Sequence, residues 1–101
     1  MKRVVVTGLG AITPLGNTVE SFWENILDGK SGVGPITKFD TSKFKTHFAA
    51  EVKDFNPESF LDRKEARKFD TFTQYAIASS DQAITDAGLD FKTMTDDQLA
   101  E

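Results

Sequence analysis

The residues best placed to do chemistry in this chain are cationic and clustered. Arg63, Lys64, Arg67 and Lys68 put four of the twelve Lys and Arg residues within six positions. On a helix, Lys64, Arg67 and Lys68 fall at i, i+3 and i+4 and share one face. Two readings stand open on these residues alone: a solvated helix face, or a docking patch for an acidic partner or a phosphate. Exposed ion pairs contribute only about 0.2–1 kcal/mol each. A patch of this kind would therefore steer and orient a transient partner rather than hold it tightly.

The other candidates carry less. Gly8-Leu9-Gly10 follows a valine run and invites a dinucleotide-binding reading, but that fingerprint wants a third glycine where Thr13 stands. The looser Thr-Gly-x-x-x-Gly pattern wants glycine where Ile12 stands, Pro14 opposes an immediate phosphate-binding helix start, and there is no Walker A sequence. The glycines read instead as a strand-ending turn that permits close packing. His47 is the only histidine, on the polar face of an expected strand, and one histidine does not make a His-rich zinc site. Asp96-Asp97 fit the first turn of a helix, where the macrodipole favours acids. With no cysteine there is no disulfide, thiolate metal site or cysteine nucleophile. No metal and no cofactor is expected.

These residues need elements to hold them. Val4, Val5 and Val6 form an unalternating β-branched run, the pattern of a strand buried on both faces of a parallel sheet. A helix is expected from Asn17 to Asp28, with Val19, Phe22, Trp23, Ile26 and Leu27 as its apolar stripe. Asn17 and Glu20 have capping-box spacing, and Gly29 suits the left-handed position after the helix. Ser31 to Pro35 reads as a connection and Lys38 to Lys45 as irregular. Period-two alternation from His47 to Lys53 predicts a half-exposed strand with Phe48, Ala50 and Val52 on one face. Asn56-Pro57 starts a short helical turn. Asp62 with Glu65 opens the basic helix. Asp70 caps the longest helix, Thr71 to Ala87, whose stripe of Phe72, Tyr75, Ala76, Ser79, Ser80, Ala83, Ile84 and Ala87, widened by Ile77 and Ala78, predicts burial around most of its circumference. Gly88 ends it, and Thr95 with Gln98 suggests one more helix start.

A chain of 101 residues is one domain at most. Its 39% hydrophobic and 28% charged composition is that of a folded protein. A net charge of −4 argues against general binding to nucleic acid or anionic membrane. Three valines are too few for a signal-peptide core or a membrane span, so a cytoplasmic location is expected. The element order is α/β, yet a parallel strand needs a neighbour reached by a crossover. The strand expected after the long helix is missing, and the chain reads as the front end of a larger domain.

Three blocks carry a resemblance: RVVVTGLGAITPLGNTVESFWENILDGKSGV, FDTSKF, and VKDFNPESFLDRKEARKFDTFTQYAIASSDQAITDAGL. Together they resemble the amino terminus of the β-ketoacyl-(acyl-carrier-protein) synthases, and within them the bacterial type II branch. The type I branch differs most across the segment matching Glu65 to Tyr75. The resemblance implies a thiolase-like α-β-α-β-α fold, incomplete here. Residues 1–101 would be the amino-terminal segment of its first half, with no complete domain boundary inside the chain. It implies a homodimeric parent enzyme that condenses malonyl-carrier protein with an enzyme-bound acyl chain, using a cysteine and two histidines. None of these is expected in this chain, since it has no cysteine and His47 matches neither histidine, so no catalytic residue is assigned and the chain alone is expected to be inactive. In that branch the positions matching Lys64, Arg67 and Lys68 face acidic acyl carrier protein, with Arg63 less clearly involved. The resemblance favours docking over the solvated face. A non-catalytic interaction module is the alternative reading, and a dinucleotide-binding module ranks below it. Acyl chain-length preference depends on residues mostly outside this segment.

Overall fold

Local capping chemistry sets most of the elements. In the computed structural model, which describes residues 2–91 and 93–97, α1 spans Val19–Leu27, β1 Val33–Pro35, β2 Phe48–Ala50, a 3-10 turn Pro57–Ser59, α2 Arg63–Lys68 and α3 Thr71–Asp86. The α1 cap lies one residue later than expected. Thr18, not Asn17, accepts from the Ser21 N–H, and Ser21 rather than Glu20 closes the capping box. Asn17 is diverted to a distant contact, its Nδ2 donating to the Lys53 carbonyl at 2.7 Å. The positive φ of Gly29, 70°, ends α1, and that of Gly88, 73°, follows α3. Ala87 is the C-cap of α3 rather than its last helical residue, and Asp70, at the N-cap position as expected, makes no side-chain capping bond. Gln98 lies outside the described residues.

β1 and β2 form an antiparallel ribbon with Val33 opposite Ala50, Gly34 opposite Ala49 and Pro35 opposite Phe48. The Ile36 N–H extends the ladder to the His47 carbonyl at 2.9 Å. Residues expected to be a plain connection thus supply the partner strand. The apolar face expected on β2 is not buried: Phe48 and Ala50 are exposed and Ala49 is half-buried. A two-stranded ribbon with no layer beneath it has nothing to bury that face against.

The largest correction concerns Val4–Val6. Expected in a buried strand, they belong to no strand and are 92%, 58% and 80% exposed. A strand completes its hydrogen bonds only through a neighbour, and none pairs with it among the described residues. The run does rest on α3 at its far end. A Cβ on Gly8 would come within 2.7 Å of the Ala87 nitrogen, and one on Gly10 within 2.9 Å of the Ala83 nitrogen. The glycines therefore permit the close packing read from the sequence.

α3 is less enclosed than its stripe predicts. Ala78 is fully buried, but Phe72, Ala76 and Ser80 are exposed. Among the described residues only Ala66 and Ala78 form a buried core. A smaller aromatic cluster supports the α2–α3 corner: Phe55 stacks on Phe60 at 6.1 Å and meets Tyr75 edge-on at 4.9 Å. The radius of gyration is 17.4 Å, against about 13 Å for a closed domain of this length. The fold is an open one.

Candidate functional site

The basic cluster sits on a helix that its own sequence completes. Asp62 Oδ1 accepts from the Glu65 N–H at 2.8 Å, which caps the start of α2. At the other end Gln74 of α3 donates through Nε2 to the Ala66 carbonyl at 2.7 Å and, at 3.4 Å, to that of Phe69. Arg67 and Lys68 lie in the last turn, where positive charge complements the helix dipole. Six residues of helix are thereby closed at both ends.

Burial of Ala66 fixes the orientation. At roughly 100° per residue, Lys64, Arg67 and Lys68 fall on the side away from Ala66, while Arg63 sits on the flank. All four are exposed. Lys30 pairs with Asp28 at 3.9 Å, whereas none of the α2 cations forms an ion pair with a carboxylate among the described residues. A chain of net charge −4 thus presents a locally positive face. Sequence spacing found these residues; the burial of Ala66 is what separates the central three from Arg63.

Around the glycines, the structure removes the dinucleotide reading. The Leu9 N–H donates to Asp86 Oδ2 at 3.0 Å and the Ala11 N–H to Gln82 Oε1 at 2.9 Å. A phosphate cradle needs such N–H groups free. Here they are taken, one of them by a carboxylate. Gln82 also donates through Nε2 to the Asn17 carbonyl at 2.6 Å. Sequence reasoning missed this clamp because glutamine and aspartate on a long helix look like solvent-facing residues. A cleft of about 340 Å³ beside it is lined by Leu9 and the carboxylates Glu20, Asp81 and Asp86.

His47 is exposed, with Nδ1 3.1 Å from Thr41 Oγ1, and it converges on no nucleophile or ligand. No group of three potential metal ligands occurs among the described residues, which leaves Asp96-Asp97 without a partner set. Two carboxylates titrate below their ordinary values: Glu51, chiefly through the Thr37 hydroxyl, and Asp40, chiefly through the Ser42 backbone N–H. Both serve loop geometry. No helix among the described residues is long and apolar enough to cross a membrane.

Comparison with known proteins covers nearly the whole chain. The profile of the family described as "Beta-ketoacyl synthase, N-terminal domain" matches residues 1–100. Over 98 residues the chain is 51% identical to 3-oxoacyl-[acyl-carrier-protein] synthase 2 of Synechocystis, covering 97% of this chain and 24% of that protein. The protein of the same name from Staphylococcus aureus strain COL is 49% identical over 98 residues, with the same coverage of 97% and 24%. That from Coxiella burnetii is 55% identical over 89 residues, covering 88% of the chain and 22% of the relative. The chain thus spans about a quarter of these relatives. A solved structure, the ishigamide ketosynthase/chain length factor, superposes with a TM-score of 0.80 at 37% identity, covering 89% of this chain and 22% of the other.

Proposed function

The chain belongs to the beta-ketoacyl synthase family, and on that premise we propose that it is the amino-terminal segment of a fatty-acid-elongating 3-oxoacyl-[acyl-carrier-protein] synthase, contributing scaffold and carrier-protein docking. Its fold is the incomplete amino-terminal part of a thiolase-like architecture. The chemistry of the parent would be a decarboxylative Claisen condensation. Loss of CO2 from malonyl-carrier protein generates the carbanion equivalent, which attacks the thioester carbonyl of the enzyme-bound acyl chain. A carbon–carbon bond forms, the carbon–sulfur bond breaks, and the thiolate leaves to be reprotonated. The acyl chain thus leaves the enzyme two carbons longer, as a 3-oxoacyl thioester on the carrier.

This segment holds none of that machinery. It has no cysteine and one histidine, and His47 is engaged with Thr41. What it offers is the face of Lys64, Arg67 and Lys68, turned outward by burial of Ala66 and lacking a carboxylate partner among the described residues. That face is the observation that carries the docking role. Acidic acyl carrier protein is the partner, the parent acts as a cytoplasmic homodimer, and neither nucleic acid nor membrane is a partner. Exposed charges raise the association rate and set orientation, which suits a carrier that must dock, deliver and leave.

The test is calorimetric titration of the chain with acyl-loaded carrier protein at low salt. Affinity falls as salt rises, Lys64→Glu with Arg67→Glu weakens binding at least about tenfold, and Arg63→Glu weakens it less. Unchanged affinity in the double variant overturns docking. A condensation assay on the chain alone gives no 3-oxoacyl product, and product formation overturns the scaffold assignment. The completeness of the docking face without any catalytic group also favours a second reading, a non-catalytic module that binds an acidic partner. Carrier binding in that case persists with no condensing polypeptide to serve.

A further inference from the structure

The α-helices of this chain do not end alike. After α1 and α3 the backbone turns through a glycine of positive φ, Gly29 and Gly88. It then returns N–H groups to the last carbonyls: Gly29 and Lys30 to Ile26 and Asn25, Gly88 and Leu89 to Thr85 and Ile84. α2 has no such return. Its C-cap, Phe69, is extended, with φ −106° and ψ 138°. No backbone N–H beyond Lys68 reaches an α2 carbonyl among the described residues. The carbonyls of a helix's last turn have no partner inside the helix, so another donor must meet them. Gln74 is that donor, its Nε2 bonding the Ala66 carbonyl at 2.7 Å and that of Phe69 at 3.4 Å.

Those carbonyls have a natural competitor for their partner. Lysine and arginine in a last turn can fold back onto the final carbonyls, drawn also by the negative end of the dipole. Arg67 and Lys68 occupy that turn. Yet neither side chain makes a hydrogen bond or ion pair among the described residues, and both are exposed. A glutamine amide satisfies the carbonyls without charge, so it neither repels the two cations nor pairs with them. Its own place is fixed. The Gln74 N–H donates to the Asp70 carbonyl at 3.0 Å, and the next residue, Tyr75, meets Phe55 edge-on at 4.9 Å. Every one of these contacts is made between residues 55 and 75, so the arrangement is complete within the chain.

We propose that Gln74 is a positioning residue for the basic face: by occupying the carbonyls at the end of α2, it leaves Arg67 and Lys68 free for an acidic partner. The role rests on the carrier-docking reading of that face. Gln74 acts only through α2 and touches no partner itself. Lys64, in the first turn of α2 and away from those carbonyls, does not depend on it. Gln74→Glu reverses the arrangement on both counts, since a carboxylate has no proton to donate and draws the two cations inward.

Calorimetric titration of the 101-residue chain with acyl-loaded carrier protein at low salt tests it. Gln74→Met keeps the volume of the side chain, removes the donor and weakens binding about fivefold. Gln74→Glu weakens it about tenfold. A double-mutant cycle separates positioning from simple loss of folded protein. In an Arg67→Ala, Lys68→Ala background, Gln74→Met changes affinity by less than about twofold. In a Lys64→Ala background its effect persists in full. Loss of folded chain would act equally in both backgrounds. A Gln74→Met variant that binds as the wild type does, or that loses affinity equally in the two backgrounds, overturns the proposal while leaving docking intact. An Arg67→Ala, Lys68→Ala variant with unchanged affinity overturns the docking reading itself, and the positioning role with it.

Discussion

α2 and the valine run both expose what most proteins would cover, for opposite physical reasons. The helix satisfies its backbone within a few residues: Asp62 caps one end, and Gln74 from the adjoining helix receives the other. What it leaves outside is charge, which water solvates well. Lys2–Gly8 leave outside backbone amides and valine side chains, which a strand can satisfy only by finding a second segment. A chain spanning about a quarter of its relatives' length can therefore carry a locally finished basic face beside a strand without its neighbours. Local elements survive partition of a chain, and non-local ones wait for a partner.

The sharpest way to break this contrast is to dislodge the one part of the first segment that is already anchored. Gly10→Val drives a branched side chain into Ser79 and Ala83, and overpacking of this kind costs about 3 kcal/mol. Gly34→Ala is the control, since a Cβ there meets nothing within 4 Å, and it is close to neutral in urea unfolding. Gln82→Ala comes next. It removes the acceptor for the Ala11 N–H and the donor to the Asn17 carbonyl, a loss of about 2 kcal/mol by the same measurement. Neither change touches α2, so carrier affinity of the folded fraction stays at the wild-type value. A fall in that affinity would show that the basic helix proposed for docking depends on the distant clamp after all.

Asp62→Ala probes the other side of the comparison with a smaller effect. Loss of the cap costs about 1 kcal/mol, confined to α2 and visible as faster amide exchange at Glu65. The segment at Gly8 to Ala11 keeps its protection. Spread of the effect to Leu9 and Ala11 would mean that α2 is not locally determined.

The same distinction explains what could be read from the residues. Asp62 with Glu65, Asn56 before Pro57, Gly29 and Gly88 all act within one turn of chain, and the sequence announces each. Asn17 misleads because a contact 36 residues away, to Lys53, takes its side chain; Thr18 then caps α1. β1 is invisible because Val33-Gly34-Pro35 is short and carries two strand breakers, with pairing to β2 alone making it a strand. The valine run is over-read for the converse reason: its composition is that of a buried strand, while no described segment pairs with it or covers it. At the basic face, spacing identified Lys64, Arg67 and Lys68, and their shared outward direction needed the packing of Ala66.

The ribbon lies between the two extremes and supplies the smallest and most discriminating test. It joins two segments, yet both lie within this chain, and Glu51 fastens its end by accepting from the Thr37 hydroxyl at 2.8 Å. That bond, the largest influence on the group, holds Glu51 below the ordinary glutamate value of 4.5. A carboxyl depressed on folding contributes stability that is complete above its unfolded pKa and disappears as pH falls through the folded one. The ribbon should therefore keep its full hold above about pH 4.5 and loosen only in the more acid range. Thr37→Val raises the Glu51 midpoint toward 4.5 and removes most of the acid-dependent loss, so the two proteins differ near neutrality and converge in strong acid. An NMR titration of the Glu51 carboxyl reads both midpoints. A wild-type midpoint at or above 4.5 would mean that Thr37 does not hold the carboxylate in solution, and the ribbon would then belong with the unpaired valine run rather than with the self-completed helix.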